Sequence, residues 1–281
     1  MMDNVPGLEL LPTHRALLER AVGYFRDDDR VVGMILGGSL ARGAVDFYSD
    51  VDLYVVARDE SFEAVFDERD AAARSIGTPL FGFAVDPVPG GSRDFIVMYP
   101  GPAKLDLMYY RESEVVPGPK WVGSPVLKDN SGSLESVISR SATFRPDLPQ
   151  PKTLLELDQK FWTWCWCVFG KIMRGELWEA LDGVHTIRSD ALLPLLDWVS
   201  DRPHEGYRRL ERKADPETAA RLAATVSTLR PESLYAALQA EMDLFCDLRA
   251  AAFDRFGLTF DPAPERALKD EMSRLWTTGE P

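Results

Sequence analysis

Apolar positions recur at helical spacing from Thr13 to Phe25, with Leu17, Leu18, Ala21, Val22 and Phe25 on one side and Thr13 placed to cap the first turn. The period then shortens. Val31 to Leu36 is a β-rich run that ends at Gly37-Gly38-Ser39, and Val51 to Ala57 reads VDLYVVA, a second strand apolar enough to be buried. Between them Leu40 to Ala44 has room for about one helical turn before Asp46 to Asp50 turns the chain back. A helix is predicted from about Ser61 to Ser75, followed by strands at Leu80 to Val85, Phe95 to Tyr99 and Lys104 to Tyr110. The turn signals Asp86-Pro87-Val88-Pro89-Gly90-Gly91 and Pro100-Gly101-Pro102 separate these strands. Pro117 to Pro151 is rich in Pro, Gly and Ser and predicts a long connection or covering loop. Beyond Thr153 strand signals largely disappear, and helices are predicted at about 153–174, 176–199, 216–229 and 232–256.

This pattern predicts an α+β chain of two domains: a mixed sheet with flanking helices over residues 1–150, and a C-terminal helical bundle, expected to bind substrate, over 151–281. The length of 281 residues and an apolar fraction of 45% agree with two ordinary globular domains.

Charge and cysteine usage narrow the partners. A formal charge of −13 argues against nucleic acid, whose non-specific binding draws on Lys and Arg, and favours a small cationic acceptor. The opening MMDNVPGLELLPTHR does not read as a secretory signal, and the densest apolar run, Phe161 to Phe169, is about half the length needed to span a bilayer. A soluble, cytoplasmic protein with no membrane partner is expected, as a monomer or a homodimer. Cys165, Cys167 and Cys246 are odd in number, and the first two point in different directions on a helix, so all three read as reduced.

The candidate chemistry lies in Gly37-Gly38-Ser39-Leu40-Ala41-Arg42 and in Ser49-Asp50-Val51-Asp52-Leu53. Glycines at a strand end let the backbone approach a triphosphate, and a helix starting at Ser39 would aim free N–H groups at its oxygens, with Gly38, Ser39 and Arg42 as contacts. Asp50 and Asp52 are two apart at a strand start, so both carboxylates share one face and suit magnesium with a triphosphate. Either half alone reads as a plain turn or a solvated strand end; in this order, across strand, short helix and strand, they predict a metal and nucleotide site.

The combination resembles the signature of the polymerase β nucleotidyltransferase superfamily, a Gly-Ser, ten residues, then Asp-any-Asp, which Ser39, Asp50 and Asp52 match without a gap. The resemblance implies a polymerase β-like N-terminal domain, a nucleoside triphosphate (ATP) as co-substrate, two Mg2+ ions and a third carboxylate on a neighbouring strand. Lys104-Leu105-Asp106-Leu107 offers that carboxylate, although Asp106 on the solvent face of an edge strand fits the alternation too. Asp50, Asp52 and Asp106 are thus the expected metal ligands.

In the helical half, Lys171 and Arg174 end a buried helix, where they either complement its dipole or reach a triphosphate. From Glu176 onward Leu177, Leu181, Val184, Ala191 and Leu195 form one stripe, with Arg188 near its centre and in need of an anion. Glu176, Asp182 and His185 flank the stripe as candidate acceptor contacts, with surface or capping roles equally open. Phe161-Trp162, Gly170-Lys171, Arg174, Glu176, Leu177, Ala180, Asp182, Arg188, Leu192-Leu193 and Asp243-Leu244-Phe245 resemble the aminoglycoside 6-adenylyltransferases that modify streptomycin. That resemblance implies antibiotic resistance through transfer of AMP to a drug hydroxyl, with Asp182 as the first choice for the general base and Glu176 the second. Lincosamide or other small-molecule nucleotidyltransferases, and protein-modifying enzymes of the antitoxin type, are the alternatives.

Overall fold

The structure is a computed structural model that describes residues 11–85, 91–101, 103–144 and 149–279. Its contacts divide the chain into two units, Met1–Arg145 and Pro146–Pro281. In the first, helix α1 (Pro12–Arg26) buries His14, Leu17, Leu18, Ala21, Val22 and Phe25. Thr13 is not its cap: Leu11 takes that position and Pro12 opens the first turn, where a missing amide hydrogen costs nothing. Then follow β1 (Val31–Leu36), α2 (Gly38–Ala41) and β2 (Val51–Ala57). The single helix expected over residues 61–75 is two, α3 (Phe62–Asp67) and α4 (Arg69–Ile76), which meet at Glu68. Glu68 leaves helical geometry there (φ −82°, ψ 2°) while its carboxylate accepts hydrogen bonds of 2.8 and 2.7 Å from Arg30.

Strands β3 (Phe81–Val85), β4 (Arg93–Tyr99) and β5 (Ala103–Arg111) come next. Of the two turn signals between them, residues 86–90 and 102 lie outside the described residues. The loop expected from Pro117 to Pro151 contains packed elements: β6 (Val126–Asp129) pairs antiparallel with β1, and α5 (Ser133–Ser141) follows. Trp121 is fully buried and its indole donates to the Val116 carbonyl at 2.9 Å. The Asp129 carboxylate joins strand to helix by accepting from the backbone N–H groups of Gly132, Leu134 and Glu135 at 2.8, 3.0 and 3.0 Å. Sparse apolar anchors within a Pro- and Gly-rich composition hid both elements.

The six strands run in the order β3-β4-β5-β2-β1-β6. β2 and β5 are parallel; the other pairs are antiparallel. Leu53, Val55, Phe95, Val97, Leu105, Leu107 and Tyr109 form one face and pack into a single core with α1, α3 and α4. The opposite face is apolar only toward β1 and β6, where Ile35, Tyr110, Trp121, Leu134 and Val137 cluster. Toward β3 it carries polar rows. At the edge, β3 is exposed along its length, with Phe81 and Phe83 at 74% and 58%.

The second unit is helical: α6 (Pro151–Met173), α7 (Leu177–Ile187), α8 (Leu193–Val199), α9 (Leu210–Lys213), α10 (Pro216–Ala224), α11 (Pro231–Arg255) and α12 (Ala263–Thr278). A π-helical turn, Arg188–Leu192, separates α7 from α8 within the stretch expected as one helix. α12 was not expected, because it buries Met272 and only partly covers Leu268, Leu275 and Trp276. Phe161 of α6 and Phe245 of α11 stack at 3.6 Å, and Gly183 lets α7 approach α6, since a Cβ there would meet Val168 at 2.5 Å. The three cysteines are free, and among the described residues no helix is long and apolar enough to cross a membrane.

Glu241 is the outlier of this core: it is fully buried, and neither carboxylate oxygen has a hydrogen-bond partner. Burial pushes its pKa up to about 9, with Arg188 opposing. The folded chain therefore keeps a proton that the unfolded chain releases near 4.5, so stability falls as pH rises between those values. Glu241→Gln, which cannot ionise, is expected to match wild type near pH 5 and to exceed it by about 1–3 kcal/mol near pH 9. Urea unfolding at both pH values measures this, and an equal difference at the two would refute the assignment.

Candidate active site

The end of β1 is shaped around Asp52. Gly37 N–H donates to the Asp52 carbonyl at 2.9 Å, and Gly38 adopts a left-handed φ of 62°. A Cβ on Gly38 would fall 1.6 Å from Asp52 Oδ2, so the carboxylate rests directly on the glycine backbone. α2 is a single turn that buries Ser39 and leaves Arg42 exposed at its C-terminal end. The following loop is fixed by its own polar groups: Tyr48 N–H donates to Asp46 Oδ1 and Asp46 N–H to Ser49 Oγ, both at 2.9 Å. Buried His14 of α1 donates from Nε2 to the Ser49 carbonyl at 2.8 Å, anchoring the residue before Asp50.

Strand register then assembles the polar face. Asp52 lies opposite Asp106, Asp106 opposite Ile96, and Ile96 opposite Phe83, one row across four strands. Tyr54, Met108, Asp94 and Val85 form the next row. Residues directly opposite share a face, so Asp50, Asp52, Asp94, Lys104 and Asp106 all belong to this side of the sheet.

Lys104 Nζ sits between two carboxylates, 2.8 Å from Asp50 Oδ2 and 3.0 Å from Asp106 Oδ2. Burial pushes the Asp106 carboxyl up, and Lys104 offsets this only in part. Burial works against the Lys104 ammonium as well, but Asp50 and Asp106 outweigh it and hold its pKa above the usual lysine range. Asp106 Oδ1 is buried without a hydrogen bond.

Among the described residues no three His, Cys, Asp or Glu side chains converge as a ready-made metal cluster. The donor set still fits a hard divalent cation: two carboxylates already share one positive charge, and Asp52 stands in register with one of them. The ammonium occupies the place such an ion would take.

The remaining candidates lie in the helical unit. Lys171 pairs with Glu179, and Arg174 donates from Nε and Nη2 to the two oxygens of Glu176, both at 2.9 Å. Asp182 and His185 are exposed on α7, and the His185 ring stacks on Tyr207 at 5.6 Å. Arg188 donates to Tyr207 Oη at 3.0 Å and to the carbonyl and Oγ1 of Thr225 at 2.7 and 3.0 Å. The anion it required is Glu241, with Nη1 at 3.9 Å from Oε1, beyond hydrogen-bond range.

The structure thus brings Gly38, Ser39, Asp50, Asp52 and Asp106 together in one unit, and Lys171, Arg174, Glu176, Asp182, His185 and Arg188 occupy the other. Two residues of the polar face escaped the sequence reading. Asp94, whose Oδ1 is buried and without a hydrogen bond, gave no motif signal; only the pairing of β4 with β5 reveals it. Lys104 stood in plain view, two residues before Asp106 and therefore on its face.

The sequence profile of a family described as streptomycin adenylyltransferase matches residues 13–273. No curated protein sequence matches the chain. Among solved structures it is similar to an aminoglycoside 6-adenyltransferase from Bacillus subtilis, at 14% identity and a TM-score of 0.46, covering 94% of this chain and 97% of that one. It is also similar to a nucleotidyltransferase-like protein from Exiguobacterium sibiricum, at 14% identity and a TM-score of 0.36, covering 86% and 77% of the two chains.

The glycine contact yields a direct test. Gly38→Ala must strain a left-handed residue and push Asp52 aside, so we expect a stability loss of about 1–2 kcal/mol and a fall of about 100-fold in turnover. Denaturant unfolding and pyrophosphate release measure the two. Full activity in this variant would show that the Asp52 carboxylate does not need its seat on Gly38.

Proposed function

The chain belongs to the streptomycin adenylyltransferase family and is a nucleotidyltransferase, and from that premise we propose that it transfers AMP from ATP to a hydroxyl of an aminoglycoside in a magnesium-dependent reaction. The observation that carries the metal part of the reading is the opposition of Asp52 and Asp106 across the parallel β2–β5 pair, with Asp50 on the same face. These three carboxylates hold the magnesium. Bound there, it supplies positive charge against the triphosphate and the departing pyrophosphate.

The chain's own groups do the rest. The Gly38 backbone and the Ser39 hydroxyl orient the phosphates, and Arg42, Lys171 and Arg174 neutralise them, the last two exchanging Glu179 and Glu176 for phosphate oxygens. Glu176, Asp182 and His185 receive the amino or guanidino groups of the acceptor, which the net charge of −13 also favours. Arg188, fixed by Thr225, holds Tyr207 against His185. The acceptor oxygen attacks the α-phosphorus, the bond to the β-phosphate bridging oxygen breaks, pyrophosphate leaves, and Asp182 takes the hydroxyl proton.

Asp50→Asn and Asp52→Asn are expected to lower pyrophosphate release by about 1,000-fold or more while leaving the fold intact. An acceptor panel of aminoglycosides and lincosamides with ATP and magnesium tests the substrate; turnover with lincosamides alone would overturn the aminoglycoside reading. For the base, Asp182→Asn should slow the single-turnover rate at saturating acceptor by about 100-fold. An unchanged rate removes Asp182 from that role.

A further inference from the structure

The contact that the proposed metal site leaves unexplained is the ammonium between its carboxylates. Asp50, Asp52 and Asp106 project from one face of adjacent strands, where mutual repulsion would spread them apart or force protonation. Lys104 relieves this from within. It precedes Asp106 by two residues on β5, so alternation puts its stem on the same face, and its tip reaches Asp50 and Asp106 at 2.8 and 3.0 Å. A lysine suits such a task because its charge is compact and its four-carbon stem is free to swing, whereas an arginine fork would commit to one geometry.

We propose that Lys104 is an internal counter-cation that holds the place of the metal: a divalent ion enters only by expelling the ammonium from Asp50 and Asp106, and a nucleotide triphosphate favours that exchange by receiving the expelled charge. The inference rests on the metal reading given above. Two consequences follow from the competition. Metal alone binds weakly, because it must break two ion pairs to enter. Metal and nucleotide bind cooperatively, and by reciprocity each raises the other's affinity by the same factor. Lys104 is then a positioning residue, acting through the carboxylates and the phosphates.

The experiment is a Mn2+ titration of the full chain, followed by electron paramagnetic resonance of the free ion, with and without a non-hydrolysable ATP analogue. Lys104→Met keeps the stem and removes the charge; Lys104→Gln serves if that variant does not fold, and Lys104→Arg restores the charge. We expect the neutral variant to bind Mn2+ alone about tenfold or more tightly than wild type, to lose a similar factor of metal–nucleotide coupling, and to regain weak metal binding with arginine. Thermal unfolding gives an independent readout: Mn2+ alone should raise the Tm of the neutral variant and leave that of wild type nearly unchanged. Equal Mn2+ affinity in wild type and the neutral variant, with coupling intact, overturns the role of Lys104 and leaves the metal reading standing. Failure of wild type to bind Mn2+ under any condition, or unaltered binding in Asp52→Asn, overturns the metal reading and this inference with it.

Discussion

The parallel pairing of β2 with β5 governs the first unit, because both strands alternate with a period of two and both bury one face. Leu53, Val55, Leu105, Leu107 and Tyr109 are wholly inside, while Asp50, Asp52, Lys104 and Asp106 share the other side. A slip of one residue would turn the carboxylates into the core and the leucines outward, at about 1.5–3 kcal/mol for each large side chain exposed. Core packing thus enforces the chemistry of the opposite face. The glycine pair at the end of β1 and the His14 contact refine what that register sets up, by giving Asp52 a seat and holding the chain just before Asp50.

How much of this was legible depends on how local the signal is. The paired aspartates, the glycine turn and the strands that carry them lie within about one strand–turn–strand unit, and alternation alone placed both carboxylates on one side. Asp106 was reached by the same rule together with the family resemblance. Asp94 was not, because nothing near it in the chain distinguishes it and only the pairing of β4 with β5 brings it beside Met108. β6 and α5 were lost for another reason: Trp121, Leu127, Leu134 and Val137 are too few and too widely spaced among prolines, glycines and serines to show a period. The break at Glu68 was set by Arg30, far away in sequence, which no local propensity reports.

In the helical unit the wheel correctly put Arg188 within the apolar side and asked for an anion, and the structure answers with Glu241 in an unusual manner. The carboxyl is fully enclosed while Arg188 spends its hydrogen bonds on Thr225 and Tyr207, so charge neutralisation and hydrogen bonding are divided among different partners. The π-helical turn begins at this same arginine. One extra residue in the turn shifts the phase of everything after it, which is why a single helix drawn from 176 to 199 describes α7 well and α8 less so.

The row that runs from Asp52 through Asp106 and Ile96 ends at Phe83 on β3, a strand that is paired on one side alone and open to solvent along its length. Substitutions at exposed positions typically change stability by no more than about 0.5 kcal/mol, whereas those on β2 and β5 disturb a packed core. Evolutionary drift therefore has a cheap place to act here. The outer strand can change size, polarity and reach beside the carboxylates while the inner pair stays fixed, so this end of the sheet can diversify its chemistry without renegotiating the fold.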